Sequence, residues 1–174
     1  MSENSPPSHP RTLIIMGVCG CGKSLIGSML AAHFGGVFED ADDFHTEANK
    51  TKMNQSIPLT DEDRWPWMDI LRERIEAKRA ETNCYVLACS ALKQIYRDRL
   101  RNGDSHEDLE FLYLKGSRDL IGGRMAARKG HYMPVSLLDS QFAILEEPTD
   151  AITVSVEPTP EEIVRDILQR LDKA

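Results

Sequence analysis

The chain has 174 residues, of which 41% are hydrophobic and 28% are charged, values typical of one soluble globular domain. Its formal net charge of −7 at pH 7 argues against nucleic acid or an anionic membrane as a partner, because those ligands attract basic surfaces. No segment approaches the roughly 20 consecutive apolar residues of a transmembrane helix, so none is expected.

The first 11 residues form a polar, proline-rich segment that we expect to be a disordered lead-in. It lacks the apolar stretch of a secretory signal, so a cytoplasmic location is expected. Residues 12–174 are predicted to form one domain. The four cysteines have no histidine or cysteine partners at zinc-finger spacing, and we expect reduced thiols rather than a structural zinc site.

Short apolar segments alternate with amphipathic ones along the domain. The apolar segments predict buried parallel strands at 13–16, 37–38, 85–89, 109–114 and 152–156. Apolar residues at helical spacing predict helices at 23–34, from Pro66, after Lys93, around 120–125, from Pro134 and from Pro160. The alternation predicts a three-layer α/β fold with a doubly wound parallel five-stranded sheet. Ligands bind at the carboxyl ends of the strands in such folds.

The loop after the first strand carries the strongest functional signal. It fits the pattern G-x-x-x-x-G-K-[ST], whose glycines let backbone amides point at phosphate oxygens beside a helix N-terminus. Lys23 is predicted to reach the β- and γ-phosphates of ATP, and Ser24 to offer its hydroxyl to Mg²⁺. The predicted nucleotide-binding residues of this loop are Gly17, Val18, Cys19, Gly20, Cys21, Gly22, Lys23, Ser24 and Leu25.

Two acidic residues follow the second predicted strand, beside the phosphate loop. Asp40 and Asp42 are one residue apart in an extended segment, so their side chains point to opposite sides and can serve different tasks. One carboxylate is suited to the water shell of Mg²⁺, and the other to a proton of an acceptor hydroxyl. A solvated acidic turn is the alternative.

Three further segments resemble the gluconokinase family, in family order, and the resemblance covers about residues 12–172. The first contains Asp42-Asp43-Phe44-His45, Asn49, Lys52-Met53, Pro58-Leu59, Asp61, Asp63-Arg64 and Pro66-Trp67. The second contains Cys89-Ser90-Ala91-Leu92-Lys93 and Tyr96-Arg97-Asp98. The third contains Arg128-Lys129-Gly130-His131, Gln141-Phe142 and Leu145-Glu146-Glu147-Pro148. The chain is similar, more loosely, to shikimate kinase.

The resemblance implies a P-loop kinase, like the nucleoside-monophosphate kinases in fold, that uses ATP and Mg²⁺ to phosphorylate gluconate, and it suggests a homodimer. Gluconate is an open-chain polyol with one carboxylate, so its site needs hydroxyl partners, a cation and a base. Asp42 is the predicted base or hydroxyl-orienting group, and Asp40 the metal-side carboxylate. The other predicted acceptor contacts are His45, Lys52, Arg64, Ser90, Lys93, Arg97, His131 and Gln141.

Several alternatives stay open at this point. The acceptor could instead be shikimate or a nucleoside monophosphate, and a nucleotide-binding module without turnover is the third possibility. Arg64 and Lys93 could be solvated surface charges, and Gln141, which shares an inward face with Leu137 and Leu138, could be a satisfied core amide.

A basic segment at about 124–136 is the predicted mobile lid. Arg124 and Arg128 are predicted to contact the nucleotide, with Arg128 the stronger prediction, since an arginine there stabilises the transferring phosphoryl group by roughly 10³-fold or more. Flanking glycines permit such a loop to close and exclude water. A helix end whose basic residues complement the dipole is the alternative.

The phosphate loop departs from related kinases at three positions. Cys19 and Cys21 stand where serine is common, and Leu25 stands where threonine is frequent. Because backbone amides make most of the phosphate contacts, we expect ATP binding to be kept. A thiol near a helix N-terminus can have a lowered pKa, which predicts a loop sensitive to oxidants.

Overall fold

The computed structural model describes residues 9–128 and 135–174, which contain one five-stranded sheet flanked by helices. The strand order is β2-β3-β1-β4-β5, and every neighbouring pair is parallel. The strands are β1 (Thr12–Met16), β2 (Val37–Asp40), β3 (Tyr85–Ala88), β4 (Leu109–Lys115) and β5 (Ile152–Ser155). The predicted α/β fold with a parallel five-stranded sheet is therefore confirmed.

Seven α-helices occur in the described part of the chain. They are α1 (Lys23–Phe34), α2 (Glu47–Asn54), α3 (Asp61–Glu81), α4 (Gln94–Arg101), α5 (Arg118–Ala127), α6 (Val135–Ile144) and α7 (Pro160–Leu171). A short 3-10 helix, Ala41–Phe44, follows β2 directly. The sequence patterns did not predict α2, because it has no apolar stripe. Thr46 begins this helix by accepting a hydrogen bond from the Asn49 amide (3.1 Å).

Helix α3 begins five residues before the predicted start at Pro66. Thr60 is its N-cap, and the Thr60 hydroxyl accepts from the Asp63 amide (3.2 Å) while the Asp63 carboxylate accepts from the Thr60 amide (2.9 Å). This capping box satisfies two amides that would otherwise lack partners. Pro66 lies inside the helix, where its missing N–H removes only one backbone hydrogen bond.

Helices cover both faces of the sheet, because successive strand residues point to opposite sides. On one face, Leu13 and Ile15 of β1 pack in a cluster with residues of α1, α5, α6 and α7. On the other face, Ile14 and Met16 pack with residues of α3 and α4. All five side chains of β1 are completely buried. The two clusters give the three predicted layers.

The carboxyl ends of β1, β2 and β3 meet at one edge of the sheet. Asp40, the last residue of β2, is paired in register with Ala88 of β3. The Gly17 amide, just after β1, donates to the carbonyl oxygen of Ser90 (3.2 Å). The phosphate loop, the acidic segment and the loop after β3 therefore adjoin, as parallel topology requires. None of the helices in 9–128 and 135–174 combines the length and the apolar character that a membrane crossing requires.

Candidate active site

The phosphate loop joins β1 to α1 and curves around open space. Gly17, Gly20 and Gly22 have φ values of 146°, 78° and 103°, a region that other residues rarely adopt. A Cβ atom built on Gly22 meets no atom within 4 Å, so there is room at the N-terminus of α1. Backbone amides at a helix N-terminus bind phosphate oxygens. The loop therefore fits the triphosphate that its sequence predicts.

Lys23, the first residue of α1, lies back across this loop. Its Nζ donates to the carbonyl oxygens of Gly17 (3.0 Å) and Val18 (2.9 Å), and its side chain lines the cleft above the loop. A phosphate oxygen would be a stronger acceptor for this ammonium group than a neutral carbonyl. The lysine is therefore placed to exchange loop carbonyls for phosphate oxygens.

Ser24 and Asp40 face each other beside the phosphate loop. The Ser24 hydroxyl donates to Asp40 Oδ2 (3.2 Å), and Asp40 Oδ1 accepts from the Asp42 backbone amide (2.9 Å). Hydroxyl and carboxylate oxygens suit Mg²⁺, which keeps several waters in kinase sites. The described residues contain no cluster of three or more ligating His, Cys, Asp or Glu side chains. A Mg²⁺ at Ser24 and Asp40 would therefore take its other ligands from water and nucleotide phosphates.

Asp42 projects into the cleft from the 3-10 helix that follows β2. The ring nitrogen Nε2 of His45 lies 3.6 Å from Asp42 Oδ1. This neighbour lowers the pKa of the Asp42 carboxyl, desolvation opposes the shift, and the positive charge of Lys23 adds to it. Asp42 is therefore ionised at neutral pH and accepts hydrogen bonds without donating them.

His45 is buried and faces Asp42 instead of lining the cleft. Its ring stacks on Trp67, with centroids 4.1 Å apart and an interplanar angle of 15°. The amide nitrogen of Asn49 donates to the backbone oxygen of Asp63 (2.9 Å) and lies 3.4 Å from His45 Nδ1. Because that nitrogen can only donate, Nδ1 is the acceptor and Nε2 carries the hydrogen directed at Asp42. His45 therefore contacts Asp42, Trp67 and Asn49 in the structure, and its contact with the acceptor stays a prediction.

A second group of polar side chains lines the same cleft. We call this group the Asp61 cluster, and it consists of Asp61, Arg64, Lys93 and Tyr96. Lys93 Nζ lies 3.3 Å and Arg64 Nη1 3.7 Å from Asp61 Oδ1, and the Tyr96 hydroxyl donates to the same oxygen (2.5 Å). Both cations also lie over the Tyr96 ring, 5.4 and 5.6 Å from its centroid. Burial raises the pKa of Tyr96 to about 12, and the hydrogen bond to Asp61 adds to this shift. Ser90 lines the cleft as well.

Gln141 contacts the phosphate loop from α6. Its Oε1 accepts a hydrogen bond from the Cys19 backbone amide (2.6 Å), so the side chain points inward, as the sequence predicts. Its partner in the structure is the loop rather than an acceptor. Arg128 lines the cleft near these groups. His131 and Pro134 lie outside the described residues, as does the middle of the predicted lid.

Lys52 and Arg124 do not line the cleft. Lys52 Nζ binds both carboxylate oxygens of Asp63 (2.9 and 2.7 Å). The guanidinium of Arg124 donates to the backbone oxygens of Val156 and Glu157. Each cation therefore has protein partners, and neither predicted ligand contact is supported by the observed geometry.

Arg97 is a buried structural residue. It is 2% exposed, and its guanidinium donates to the backbone oxygens of Ala91 and Glu146 (2.7 Å each). It thereby connects the loop after β3 to the segment after α6. Desolvation lowers the pKa of this guanidinium, although nearby carboxylates oppose the shift. The acceptor contact predicted for Arg97 is replaced by this bridge between two backbone segments.

The thiols of the phosphate loop differ from the prediction. Cys21 is buried and Cys19 is half-buried. Burial raises the pKa of both thiols, and the opposing effect of the Lys23 charge is smaller. The predicted lowering of the thiol pKa is wrong, because desolvation outweighs the positive groups at the helix N-terminus.

The cleft lined by the phosphate loop, Asp42, the Asp61 cluster and Arg128 has a volume of about 1480 Å³. Pockets for one small ligand are commonly about 300–1,000 Å³, so this cleft has room for a nucleotide and an acceptor together. Four residues at or beside this cleft lie within the family motifs but were not among the predicted site residues: Asn49, Asp61, Trp67 and Tyr96. Their presence in those motifs was the signal that could have found them.

Comparisons with known proteins point to two related kinase families. A family model described as shikimate kinase matches residues 19–172. The protein named "Probable gluconokinase" from Mus musculus is 43% identical over 180 residues, covering 93% of this chain and 98% of that protein. The "Thermosensitive gluconokinase" of Escherichia coli strain K12 is 47% identical over 137 residues, covering 79% of this chain and 72% of that protein.

Solved structures give the same result. The crystal structure of a gluconokinase from Sinorhizobium meliloti 1021 has a TM-score of 0.84 and 40% sequence identity, and covers 95% of this chain and 93% of that one. Identity at this level over nearly the whole chain, with an intact phosphate loop, identifies a kinase. The chain therefore belongs to the gluconokinase family, which is related to the shikimate kinases.

Proposed function

We propose that the chain transfers the γ-phosphoryl group of ATP to the 6-hydroxyl of gluconate, giving 6-phosphogluconate. The observation that carries the proposal is one cleft lined by the phosphate loop, Asp42 and the Asp61 cluster. Gluconokinases at 43% and 47% identity support the choice of acceptor. The family model for shikimate kinase makes shikimate the second candidate.

The nucleotide end of the cleft is formed by the phosphate loop and its neighbours. The loop amides and Lys23 bind the β- and γ-phosphates, and Ser24 and Asp40 are the residues that would hold a hydrated Mg²⁺. This cation neutralises negative charge on the β- and γ-phosphate oxygens when bound. Gln141 holds the Cys19 amide at the mouth of the loop.

The acceptor carboxylate is bound by Arg64 and Lys93. A planar guanidinium suits a carboxylate, and an ammonium group adds a point charge. The hydroxyls along the sugar acid then extend toward Asp42, and Ser90 offers one hydroxyl on the cleft wall. This arrangement places the carboxylate at one end of gluconate and the reacting hydroxyl at the other.

Asp42 orients the attacking hydroxyl by accepting its hydrogen. The hydroxyl oxygen forms the new bond to the γ-phosphorus, the bond from phosphorus to the ADP oxygen breaks, and the proton passes to the Asp42 carboxylate. A carboxylate with a lowered pKa is a weak base, so orientation is its larger contribution. This suits a loose transition state in which little charge develops on the attacking oxygen. Arg128 stabilises the transferring group.

An acceptor panel tests the proposal. Purified protein with ATP and Mg²⁺ is assayed for ADP release with gluconate, shikimate and nucleoside monophosphates. We expect gluconate to give the highest kcat/KM by a factor of at least about 100, since specific hydrogen-bonded sites discriminate strongly. A preference for shikimate or a monophosphate, or no acceptor-dependent ADP release, would overturn it.

Site variants test the residue roles. Lys23→Ala and Asp42→Asn should each lower kcat by about 10²-fold or more, because each removes a charged group near the reacting atoms. Lys50→Ala is the matched control, since Lys50 is paired with Glu47 on the surface of α2 and does not line the cleft. Wild-type rates in Lys23→Ala would exclude this nucleotide site.

A further inference from the structure

The Asp61 cluster has a carboxylate where the acceptor carboxylate is to bind. Asp61 contacts Lys93, Arg64 and the Tyr96 hydroxyl, and all four side chains line the cleft. Arg64 also donates to the backbone oxygen of Leu59 (2.9 Å), which fixes its position. An anion-binding site does not need an acidic residue for attraction, so Asp61 must serve another purpose.

The charges of the cluster leave one net positive charge. Arg64 and Lys93 carry two positive charges, and the ionised Asp61 carries one negative charge. The hydrogen bond from the Tyr96 hydroxyl lowers the pKa of Asp61 most, and Lys93 and Arg64 lower it further. This carboxyl therefore stays ionised at neutral pH. Such a cluster matches a carboxylate, which has one negative charge. A phosphate monoester, whose charge at pH 7 is about −1.5 to −2, is repelled by Asp61 up to about twice as strongly as a carboxylate.

We propose that Asp61 is a specificity-determining residue that makes this kinase select acceptors with a terminal carboxylate and reject those with a terminal phosphate. The inference rests on the proposed function of the cleft and extends it. Repulsion of a second negative charge against an ionised neighbour a few ångströms away is a common means of rejecting a wrong ligand. Arg64 and Lys93 attract the phosphate more strongly than the carboxylate because its charge is larger, and the negative charge of Asp61 opposes that gain.

Tyr96 has a separate task in this arrangement. Its hydroxyl donates to Asp61, and its ring lies beneath Arg64 and Lys93. The tyrosine therefore fixes the positions of the three charged groups without changing their sum. Removal of its hydroxyl should weaken binding of both ligand types together.

Calorimetry tests the inference without turnover. Gluconate and D-glucitol 6-phosphate, an open-chain hexitol with a phosphate at one end, are titrated into the protein saturated with Mg²⁺ and a non-hydrolysable ATP analogue (β,γ-imido-ATP), whose γ-phosphate keeps the phosphate of the ester off the phosphate loop. The readout is the Kd of the ester divided by the Kd of gluconate. In Asp61→Asn we expect this ratio to fall by about tenfold or more, because one repulsive charge is gone.

Two further variants separate charge from structure. Asp61→Glu keeps the charge and should stay within about threefold of the wild-type ratio, and so should Tyr96→Phe, even if both ligands bind less tightly. An unchanged ratio in Asp61→Asn, or an equal fall in Asp61→Glu, would overturn the inference about Asp61. The proposed function would still stand in that case if the wild-type protein phosphorylates gluconate. A wild-type protein that binds neither ligand would contradict both.

Discussion

His45 offers the sharpest test of how Asp42 is positioned. Its Nε2–H faces Asp42 Oδ1 at 3.6 Å, longer than the usual 2.7–3.2 Å of a hydrogen bond, so its contribution lies below the 1.5–3 kcal/mol of a charged hydrogen bond. We take about 1 kcal/mol, which corresponds to about fivefold in rate. His45→Phe keeps an aromatic ring against Trp67 but removes this N–H. We expect kcat to fall about fivefold, with the KM for ATP unchanged.

Steady-state kinetics with gluconate and ATP measure this effect, and thermal unfolding monitors the fold. His33→Phe is the matched control, because His33 is exposed on α1 and does not line the cleft. Loss of His45 should also raise the pKa of Asp42, so the acid limb of the kcat profile should move to higher pH. A change in kcat below twofold, or an acid limb that does not move, would refute the positioning role.

Three further predictions concern stability. Gly36→Ala should destabilise the fold by about 1–3 kcal/mol, measured by urea unfolding, because a Cβ there would collide with the backbone oxygen of Cys84. Arg97→Met should cost on the order of 2–4 kcal/mol, since two backbone oxygens lose their donors, while the KM for gluconate is kept. Lys52→Met should destabilise the protein at neutral pH but progressively less below about pH 4, because the Lys52 contact lowers the folded-state pKa of Asp63.

The sign of the Lys52 prediction follows from the direction of that pKa shift. An Asp63 carboxyl with a lowered folded-state pKa contributes stability above its unfolded value, about 3.9, and loses it as the pH falls through the folded value. The stability difference between wild type and Lys52→Met should therefore be constant above about pH 5. A difference that grows on acidification would contradict the Lys52 prediction. A Gly36→Ala variant as stable as the wild type would contradict the first prediction, and a stable Arg97→Met variant with a raised KM for gluconate would contradict the second.

Much of the fold could be predicted from the sequence because its signals are local. The strand before the phosphate loop is a short apolar run, and the helix after it begins at Lys23 and ends before Gly35, as expected. Helix α2 could not be predicted in this way, since it is polar on most sides and is held by its Thr46 cap. Helix α3 was placed too late because Pro66 was taken as its first residue, whereas the structure has Thr60 as the N-cap and Pro66 inside the helix.

The candidate site was predictable in outline but not in its contacts. Motifs indicated the phosphate loop, Asp40 and Asp42, because those residue types carry the chemistry. The spacing of residues could not show that Arg97 donates hydrogen bonds to two backbone oxygens, because one of them, on Glu146, belongs to a segment far away in the chain. The same reason applies to Asp61, whose partners Lys93 and Tyr96 follow β3.

The identity of the reaction product is the most direct test of the central claim that ATP and gluconate meet in this cleft. Purified protein is incubated with ATP, Mg²⁺ and gluconate, and the product is followed by ³¹P and ¹³C NMR. We predict one new phosphomonoester whose phosphorus is coupled to carbon 6, formed in step with ADP. Formation of ADP without an ester, or an ester at another carbon, would contradict the account.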